Sequence, residues 1–291
     1  MSAEHGKLDP AILRRRFDLA ADSFGRADFV YGHVRDGLLE RIAPIVVDAD
    51  FVLDLGCGPG AGSRMLAKRF RKGRIIGLDW SMRMLARCKK DRPWFSKRSE
   101  LQGDALHLPF RAGSIDVIFA NLLLPWIDDL PTCLGEVARV LRKDGLFAFS
   151  TLGPDSFREL RAAWRTVDDS PHVREFADMH DTGDALVRSG LRDPVLDVDH
   201  LRVSYTDPET LLRDLRNAGA GNSLAGRRAT LTGRARLEGF REKLFAAPDG
   251  SPLHVTFELV YGHAWGGGVV PDAGEFHVDP AAIRRRSRPA G

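Results

Sequence analysis

A glycine-rich turn that follows a short apolar run constrains the fold of this chain more than any other feature. The run Phe51–Leu55 is apolar except for Asp54, and Gly56-Cys57-Gly58-Pro59-Gly60 follows it before a helix-like segment. Glycines at this spacing let the backbone turn sharply between a strand and a helix N-terminus, and they let a ligand approach bare backbone. The turn therefore predicts a nucleotide-like ligand at the carboxyl end of a parallel strand.

Asp54 discriminates between the ligands that such a turn can bind. Gly56, Gly58 and Ala61 also satisfy the loose dinucleotide pattern, and Asp79 lies about where a ribose-binding acid would stand. A carboxylate two residues before the first glycine would repel a pyrophosphate, but it would attract a ligand that carries an ammonium and a sulfonium group. We therefore predict a site for S-adenosylmethionine, and a nicotinamide-dependent dehydrogenase is the weaker alternative.

Strand-like and helix-like segments alternate regularly through the first half of the chain. A long helix is predicted over 10–43. The predicted strands that follow it lie near 51–55, 74–78, 99–102, 115–120 and 146–150. The helices predicted between them cover about 63–70, 81–90 and 130–141. This alternation predicts an α/β fold with a Rossmann-like, doubly wound parallel sheet and helices on both faces.

The second half of the chain interrupts this pattern twice. We predict a single domain over 1–265, and its core segments are about 44–152, 179–205 and 252–265. Helical insertions are predicted at about 153–178 and 206–251. Because insertions that leave the carboxyl ends of strands can cover the ligand crevice, we expect them over the active site. Residues 266–291 are rich in Gly, Pro and Arg, which predicts a disordered basic tail.

Polar residues follow four successive predicted strands, at the sheet edge where such folds bind ligands. We expect Asp54 near the amino acid part of the cofactor, Asp79 on the ribose hydroxyls, and Asp104 with Ala105 at the adenine. Asn121 could contact the methionyl part. The full predicted cofactor-binding set is Asp54, Gly56, Gly58, Gly60, Asp79, Trp80, Asp104, Ala105 and Asn121. Any one acid could instead cap a helix or form a turn, but four in order argue for a site.

Composition narrows the class of protein. The net charge of +3 is too small to indicate nucleic acid, and no apolar stretch approaches the length of a membrane span. We therefore expect neither a nucleic-acid nor a membrane partner. Cys57, Cys88 and Cys133 lie far apart with no CxxC pair, so we predict no disulfide framework and no metal site. We expect the reducing cytoplasm as the compartment.

Five motifs identify the chain over about 50–151 as similar to class I S-adenosylmethionine-dependent methyltransferases. They are DLGCGPG, IIGLDWS, GDALHLPF, IDVIFANLLLPW and VLRKDGLF. TLGPDSFRELRAAW, PHVREFADMHDTGDAL, LLRDLRNAGAGNS, LTGR and ELVYGHAW extend the likeness almost to Trp265. These segments resemble the BioC family, the malonyl-[acyl-carrier protein] O-methyltransferases of biotin synthesis. The related family that assists assembly of respiratory complex I, which shares the DLRxxG and ELR features, is the alternative.

The resemblance implies methyl transfer to the free carboxylate of a malonyl thioester on acyl carrier protein or on coenzyme A. A carboxylic acid with a pKa near ~4 is already ionised at neutral pH, so the reaction needs alignment and exclusion of water more than a general base. A cationic or hydrogen-bonding group should hold the outer oxygen. Arg161, His172 and Tyr205 are the candidates, because they lie in or border the insertions. Trp126 and Trp164 could wall the acyl pocket.

Two positions depart from the family pattern. Phe24 stands where many relatives have tyrosine, and Pro125 stands where glutamine is common.

Because acyl carrier protein is typically acidic, we expect a basic docking face in the second insertion. Its candidate residues are Arg213, Arg216, Arg227, Arg228, Arg234 and Arg236. Two alternatives remain, namely a methyltransferase for a small molecule and a non-catalytic scaffold that keeps the cofactor fold.

Overall fold

The chain forms one mixed β-sheet flanked by helices in a computed structural model, which describes residues 6–90, 92, 96–228, 232–245 and 251–268. Within those ranges the sheet has seven strands in the order β3-β2-β1-β4-β5-β7-β6. The strands are β1 Phe51–Leu55, β2 Arg74–Asp79, β3 Arg98–Gln102, β4 Ile115–Asn121, β5 Leu141–Leu152, β6 Leu191–Tyr205 and β7 Leu253–Gly266. Strands β1 to β5 pair in parallel, whereas β7 pairs antiparallel with both β5 and β6.

The α/β prediction is confirmed, and the sheet reverses its order beside β1. The chain steps outward from β1 to β2 and β3, and then returns to place β4 on the other side of β1. In open α/β sheets the crevice at such a reversal, outside the carboxyl ends of the strands, is where ligands bind. Asp54 and Asn121 lie near the carboxyl ends of the two strands that flank this crevice.

Helices cover both faces of the sheet. Those of the described part are α1 Pro10–Ala20, α2 Asp28–Arg41, α3 Ala61–Arg69, α4 Met82–Lys90, α5 Leu130–Val140, α6 Arg158–Arg165, α7 Met179–Arg188, α8 Pro208–Asn217 and α9 Arg234–Leu244. Helix α2 buries Val34 and Leu38 in one core, and α5 buries Leu134 and Val137 in the other. No helix in the described ranges is long and apolar enough to cross a bilayer.

The predicted continuous helix over 10–43 is wrong in its middle. Helix α1 ends at Ala20, and a short 3₁₀ turn at Phe24–Arg26 separates it from α2. The Ser23 hydroxyl donates to the Ala20 carbonyl at 3.2 Å, a local bond that competes with helix continuation. This break sends Phe24 into a small core with Ala20, Ala21 and Met84.

The two segments predicted as insertions pack against each other. Trp164 of α6 stacks on Phe240 of α9, with ring centroids 4.2 Å apart. Leu160 of α6 and Leu211 of α8 belong to the same core as α2. Together α6, α8 and α9 build a layer beyond the crevice edge of the sheet. Strand β7 ends at Gly266, and of the predicted tail over 266–291 residues 269–291 lie outside the described residues.

Candidate active site

The glycine turn adopts a backbone that only glycine accepts easily. Gly56, Gly58 and Gly60 have φ of +74°, +51° and +83°, all in the left-handed region. A Cβ on Gly60 would lie 2.2 Å from Cys88 Sγ, and one on Gly56 would lie 2.9 Å from Leu123 Cδ1. At Gly58 nothing lies within 4 Å of that position. The turn is therefore a tight cradle whose middle glycine faces open space.

Asp54 is a buried carboxylate at the bottom of this cradle. Its residue is 2% exposed, and the Ser63 hydroxyl donates to Oδ2 at 2.6 Å. Burial raises the pKa of Asp54 to about 6, against the lowering effect of the Ser63 hydrogen bond. Because no cation pairs with Asp54 among the described ion pairs, the site is suited to a positively charged ligand group.

Asp79 links the turn to helix α4. Its Oδ2 accepts from the Gly58 backbone N–H at 2.9 Å, and its Oδ1 accepts from the Ser81 N–H at 2.8 Å. Burial raises the pKa of Asp79 to about 6. A carboxylate oxygen can accept two hydrogen bonds, so each oxygen retains capacity for a ligand hydroxyl.

Asp104, the candidate for the adenine, and Asn121, the candidate for the methionyl part, differ in how many of their polar atoms are already hydrogen-bonded. Asp104 is half-exposed and its Oδ1 accepts from the Leu106 N–H at 2.9 Å, which closes a turn beside the buried Ala105. Asn121 has both ends of its amide engaged: Nδ2 donates to the Tyr31 carbonyl at 3.0 Å, and Oδ1 accepts from the Ser150 hydroxyl at 3.0 Å. Asn121 therefore holds Tyr31 in place, and its backbone is the part left to face a ligand.

A cavity of about 280 Å³ lies against the turn. Eight of the nine predicted cofactor-binding residues line it, and Gly60 is the exception. The residues that close this cavity from the other side come from the N-terminal segment, namely Leu8, Leu13, Phe17 and Phe24. Asp128 accepts from the Leu8 N–H at 2.8 Å and so fixes that segment. The predicted insertions contribute nothing to this lining; the N-terminal segment covers the cradle instead.

A second, larger cavity of about 690 Å³ adjoins the first. The residues that line both are Leu8, Tyr31, Leu122 and Trp126. The insertions line this second cavity, which has aromatic walls from Phe29, Phe157, Trp164, Phe176 and Phe240. The predicted cover over the active site is thus split, because the N-terminal segment closes the first cavity and the insertions close the second.

The structure brings two of the three predicted acceptor residues to the second cavity. His172 lines it, stacks on Trp164 with ring centroids 3.7 Å apart, and places Nε2 2.8 Å from Asp168 Oδ1. Tyr205 also lines it, and burial together with the Asp214 carboxylate raises its pKa. Both rings are therefore held in place by neighbouring carboxylates.

Arg161 departs from its expected position. It lines neither cavity, because its guanidinium donates to the backbone carbonyls of Arg174, at 3.3 Å, and of Pro154. These bonds tie α6 to the loops on either side of it. The structure therefore places Arg161 outside both cavities, where its hydrogen bonds hold the first insertion together.

Six arginines reach the second cavity, and sequence analysis had named four of them for a docking face while missing Arg16 and Arg174. Among the described residues its lining includes two aspartates, Asp168 and Asp214, and six arginines, Arg16, Arg174, Arg216, Arg227, Arg228 and Arg236. Arg16 is not among the predicted site residues. Its spacing from the buried Leu13 and Ala20 is the signal that places it on the inner face of α1.

Tyr31 was also missed, and it lies where the two cavities meet. It packs against Phe24 with ring centroids 4.9 Å apart, and Asn121 binds its backbone. Burial raises the pKa of Tyr31, and its hydroxyl pairs with Trp126. No local motif marks this residue, because its position depends on the break between α1 and α2.

Comparison with known proteins shows that this chain is similar to methyltransferases. A family model described as "Methyltransferase domain" matches residues 53–149. The malonyl-[acyl-carrier protein] O-methyltransferase of Halorhodospira halophila is 39% identical, with 97% of each chain covered. The protein of that name from Methylovorus sp. is 40% identical over 91% of this chain and 92% of its own length.

Solved structures support the fold. The YcgJ protein of Bacillus subtilis aligns with a TM-score of 0.58 and 18% identity, and covers 80% of this chain and 98% of its own. A SAM-dependent methyltransferase from Thermotoga maritima aligns with a TM-score of 0.52 and 17% identity, over 87% and 99% of the two chains. At these identities the likeness concerns the fold alone.

Proposed function

The chain belongs to the malonyl-[acyl-carrier protein] O-methyltransferase family, and we propose that it transfers a methyl group from S-adenosylmethionine to the free carboxylate of a malonyl thioester on acyl carrier protein. The observation that carries the proposal is the pair of adjoining cavities. One is built on the glycine cradle with the buried carboxylate of Asp54 and the half-buried one of Asp79, and the other is aromatic and lined by more arginines than acids. Such a second cavity suits a long apolar arm with an anionic end.

In this proposal each part of the cofactor meets a different residue of the first cavity. The buried carboxylate of Asp54 would bind the ammonium group, Asp79 would accept from the ribose hydroxyls, and Asp104 with Ala105 would meet the adenine. The open space beside Gly58 leaves room for the ligand against bare backbone. When bound, S-adenosylmethionine would supply a methyl group on a positively charged sulfur. The acceptor carboxylate oxygen would take the methyl group, and S-adenosylhomocysteine, with a neutral sulfur, is the leaving group.

The chain's own contribution is to orient the acceptor and to exclude water. The acceptor carboxylate is ionised at neutral pH, so no side chain has to remove a proton. The shared lining of Tyr31, Leu122 and Trp126 forms the passage between the cavities, and it is mostly apolar. Holding the carboxylate in this passage would align its oxygen with the methyl group and exclude water.

His172 and Tyr205 take supporting roles in this proposal. His172 is held between Trp164 and Asp168, so its ring presents a fixed wall to the acyl arm. Tyr205 lines the same cavity and is fixed by burial and by Asp214. The Tyr205 hydroxyl and His172 Nε2 already donate to these two carboxylates, so in this proposal both rings shape the cavity.

The basic docking face is part of the same proposal. Arg216 and Arg228 are exposed, and both also line the second cavity. An acidic carrier domain docked there would deliver its arm directly into that cavity. Arg213 and Arg234 do not line it, and Arg234 is 91% exposed and paired with Glu238. Reversing the charge of Arg227 and Arg228 should weaken use of the carrier substrate and leave cofactor binding intact, whereas kinetics unchanged across a range of salt would count against the docking face.

A labelled-methyl assay tests the proposal. The protein is incubated with labelled S-adenosylmethionine and, separately, with malonyl-acyl carrier protein, malonyl-coenzyme A and succinyl-acyl carrier protein. We expect label in a base-labile ester on the malonyl carrier and little on the succinyl control. Cofactor binding without transfer to any malonyl thioester would refute it. Equal transfer to malonyl-coenzyme A would refute the carrier preference.

The setting of the reaction belongs to the proposal as well. Biotin synthesis is the pathway implied by the BioC resemblance. A cytoplasmic location agrees with Cys57, Cys88 and Cys133, which are all free thiols and suit a reducing compartment. A single-domain enzyme over 1–265, with insertions at about 153–178 and 206–251, is the domain organisation we propose.

A further inference from the structure

Arg16 and Arg227 are the two arginines of the second cavity that are half-buried and, among the described residues, have no ion pair. They lie close enough that the charge of Arg227, after burial, contributes to lowering the pKa of Arg16. Within the described part of the chain, neither forms an ion pair with a carboxylate. By contrast, Arg174 pairs with Asp128 at 2.9 Å, and Arg236 lies 4.0 Å from Asp168. Two partly buried guanidiniums without a counter-ion are an unfavourable arrangement that a bound anion would stabilise.

The fold holds both guanidiniums in place. Arg16 Nη2 donates to the Asn222 carbonyl at 2.9 Å, and Arg227 Nη1 donates to the Arg228 carbonyl at 3.0 Å. Arg16 also packs against Gly221, where an added Cβ would be 2.1 Å from Nη1. Only part of each five-donor fork is used by these bonds, so donors remain for an oxyanion.

The position of the pair favours the inner end of the cavity. Phe17, the neighbour of Arg16 in α1, packs edge-on against Trp126 with ring centroids 5.2 Å apart. Trp126 and Leu8 line both cavities, and Leu8 pairs with Leu224, whose carbonyl accepts from the Arg227 N–H at 3.2 Å. Both arginines therefore belong to segments that border the passage. Arg16 and Arg227 are half-buried, whereas Arg228 is exposed towards the outside. An anion bound by the pair would therefore sit deep, close to the cofactor cavity.

We propose that Arg16 and Arg227 bind the free carboxylate of the acceptor and present it to the cofactor cavity. One carboxylate oxygen is held by the guanidiniums, and the other is left to take the methyl group. This inference rests on the proposed function and adds the residues that recognise the acceptor's charge. It also replaces Arg161, which sequence reasoning had selected for that task.

The test compares acceptors with and without each anionic group. Malonyl-N-acetylcysteamine has the carboxylate but no phosphate, and acetyl-N-acetylcysteamine has neither. We expect Arg16→Gln and Arg227→Gln to weaken binding of the malonyl compound to the cofactor-free protein by about 10- to 100-fold, as for hydrogen bonds to a charged group. Binding of the acetyl compound should not change. Isothermal titration calorimetry measures both.

Activity gives a second readout. The same variants should lose a similar factor in kcat/KM with malonyl-acyl carrier protein and with malonyl-N-acetylcysteamine, while the affinity for S-adenosylmethionine stays the same. Arg15→Gln is the matched control, since Arg15 is the exposed neighbour of Arg16 in α1 and lines neither cavity. Gly221→Ala keeps every charge but displaces the Arg16 guanidinium, so it should reproduce part of the Arg16→Gln loss.

Two results would overturn the inference while leaving the proposed function intact. A loss seen only with the carrier protein would assign the pair to the phosphate of the carrier arm or to docking. Unchanged malonyl binding in both glutamine variants, with circular dichroism showing that they fold, would remove the pair from acceptor recognition altogether. Failure of the wild-type protein to methylate any malonyl thioester would instead refute the proposed function itself.

Discussion

Replacing Asp54 with asparagine should stabilise the protein and at the same time weaken its hold on S-adenosylmethionine. Asn has nearly the shape of Asp, and its carbonyl oxygen can still accept the hydrogen bond from Ser63. Its amide can turn towards the cavity that Asp54 lines. The substitution therefore removes a charge from a buried position with little change in packing.

The magnitude follows from the pKa of Asp54. Burial raises that pKa from 3.8 to about 6, so folding opposes ionisation by about 2 pH units, or about 3 kcal/mol. This cost is fully present above pH 6 and disappears below pH 3.8, because an acid with a raised pKa destabilises the fold only when ionised. At roughly 2–4 °C per kcal/mol, the melting temperature of the cofactor-free variant should rise by roughly 6–12 °C at pH 7.5.

Cofactor binding should change in the opposite direction. A carboxylate and an ammonium about 4 Å apart attract by up to about 4 kcal/mol at an effective dielectric constant of 20. Part of that is lost to desolvation, so we expect a loss of about 2–4 kcal/mol, which is roughly 30- to 1000-fold in Kd. Thermal denaturation between pH 5 and 7.5 and calorimetric titration with S-adenosylmethionine measure the two effects.

Asp116→Asn is the matched control at the opposite end of the sheet. Asp116 accepts from the N–H groups of Asp50 and Phe51 and pairs with Arg142 at 2.8 Å, so its role is structural. That variant should be less stable and should bind the cofactor normally. A less stable Asp54→Asn protein that keeps its cofactor affinity would refute the reasoning, because it would mean that Asp54 is compensated within the fold and does not serve the ligand.

Three further predictions concern the same two cavities. Gly60→Ala should lower stability and abolish cofactor binding, because its Cβ would lie 2.2 Å from Cys88 Sγ at a φ of +83°; calorimetry would show whether the turn tolerates it. Cofactor affinity should fall below pH 6, because Asp54 and Asp79, whose pKa values are both raised to about 6, must be ionised to bind. The fall should be up to about tenfold per pH unit for each acid, and a flat affinity between pH 5 and 8 would contradict this. Tyr31→Phe should raise KM for the malonyl thioester several-fold without affecting cofactor affinity, because the hydroxyl lies between the cavities; unchanged steady-state kinetics would leave Tyr31 a purely structural residue.

Sequence alone predicted the cradle side of the first cavity, because the residues that build it carry local signals, but it did not predict the cover that the N-terminal segment supplies. The glycine turn, Asp54 and Asp79 are read from short motifs at strand ends, and parallel strands bring their carboxyl ends to one edge. The order of the strands then decides which of these ends flank the crevice. Eight of the nine predicted residues line that cavity for this reason.

Local sequence patterns could not predict the second cavity, because its lining comes from elements far apart in the chain. Arg16 meets Asn222 across 206 positions, and Tyr31 reaches the passage only because the chain breaks between α1 and α2. Arg161 was selected for its place in an insertion, but its guanidinium is used by backbone carbonyls. Local patterns determine where a nucleotide-like ligand meets backbone, whereas long-range packing decides which charged side chains face the acceptor and which hold the fold together.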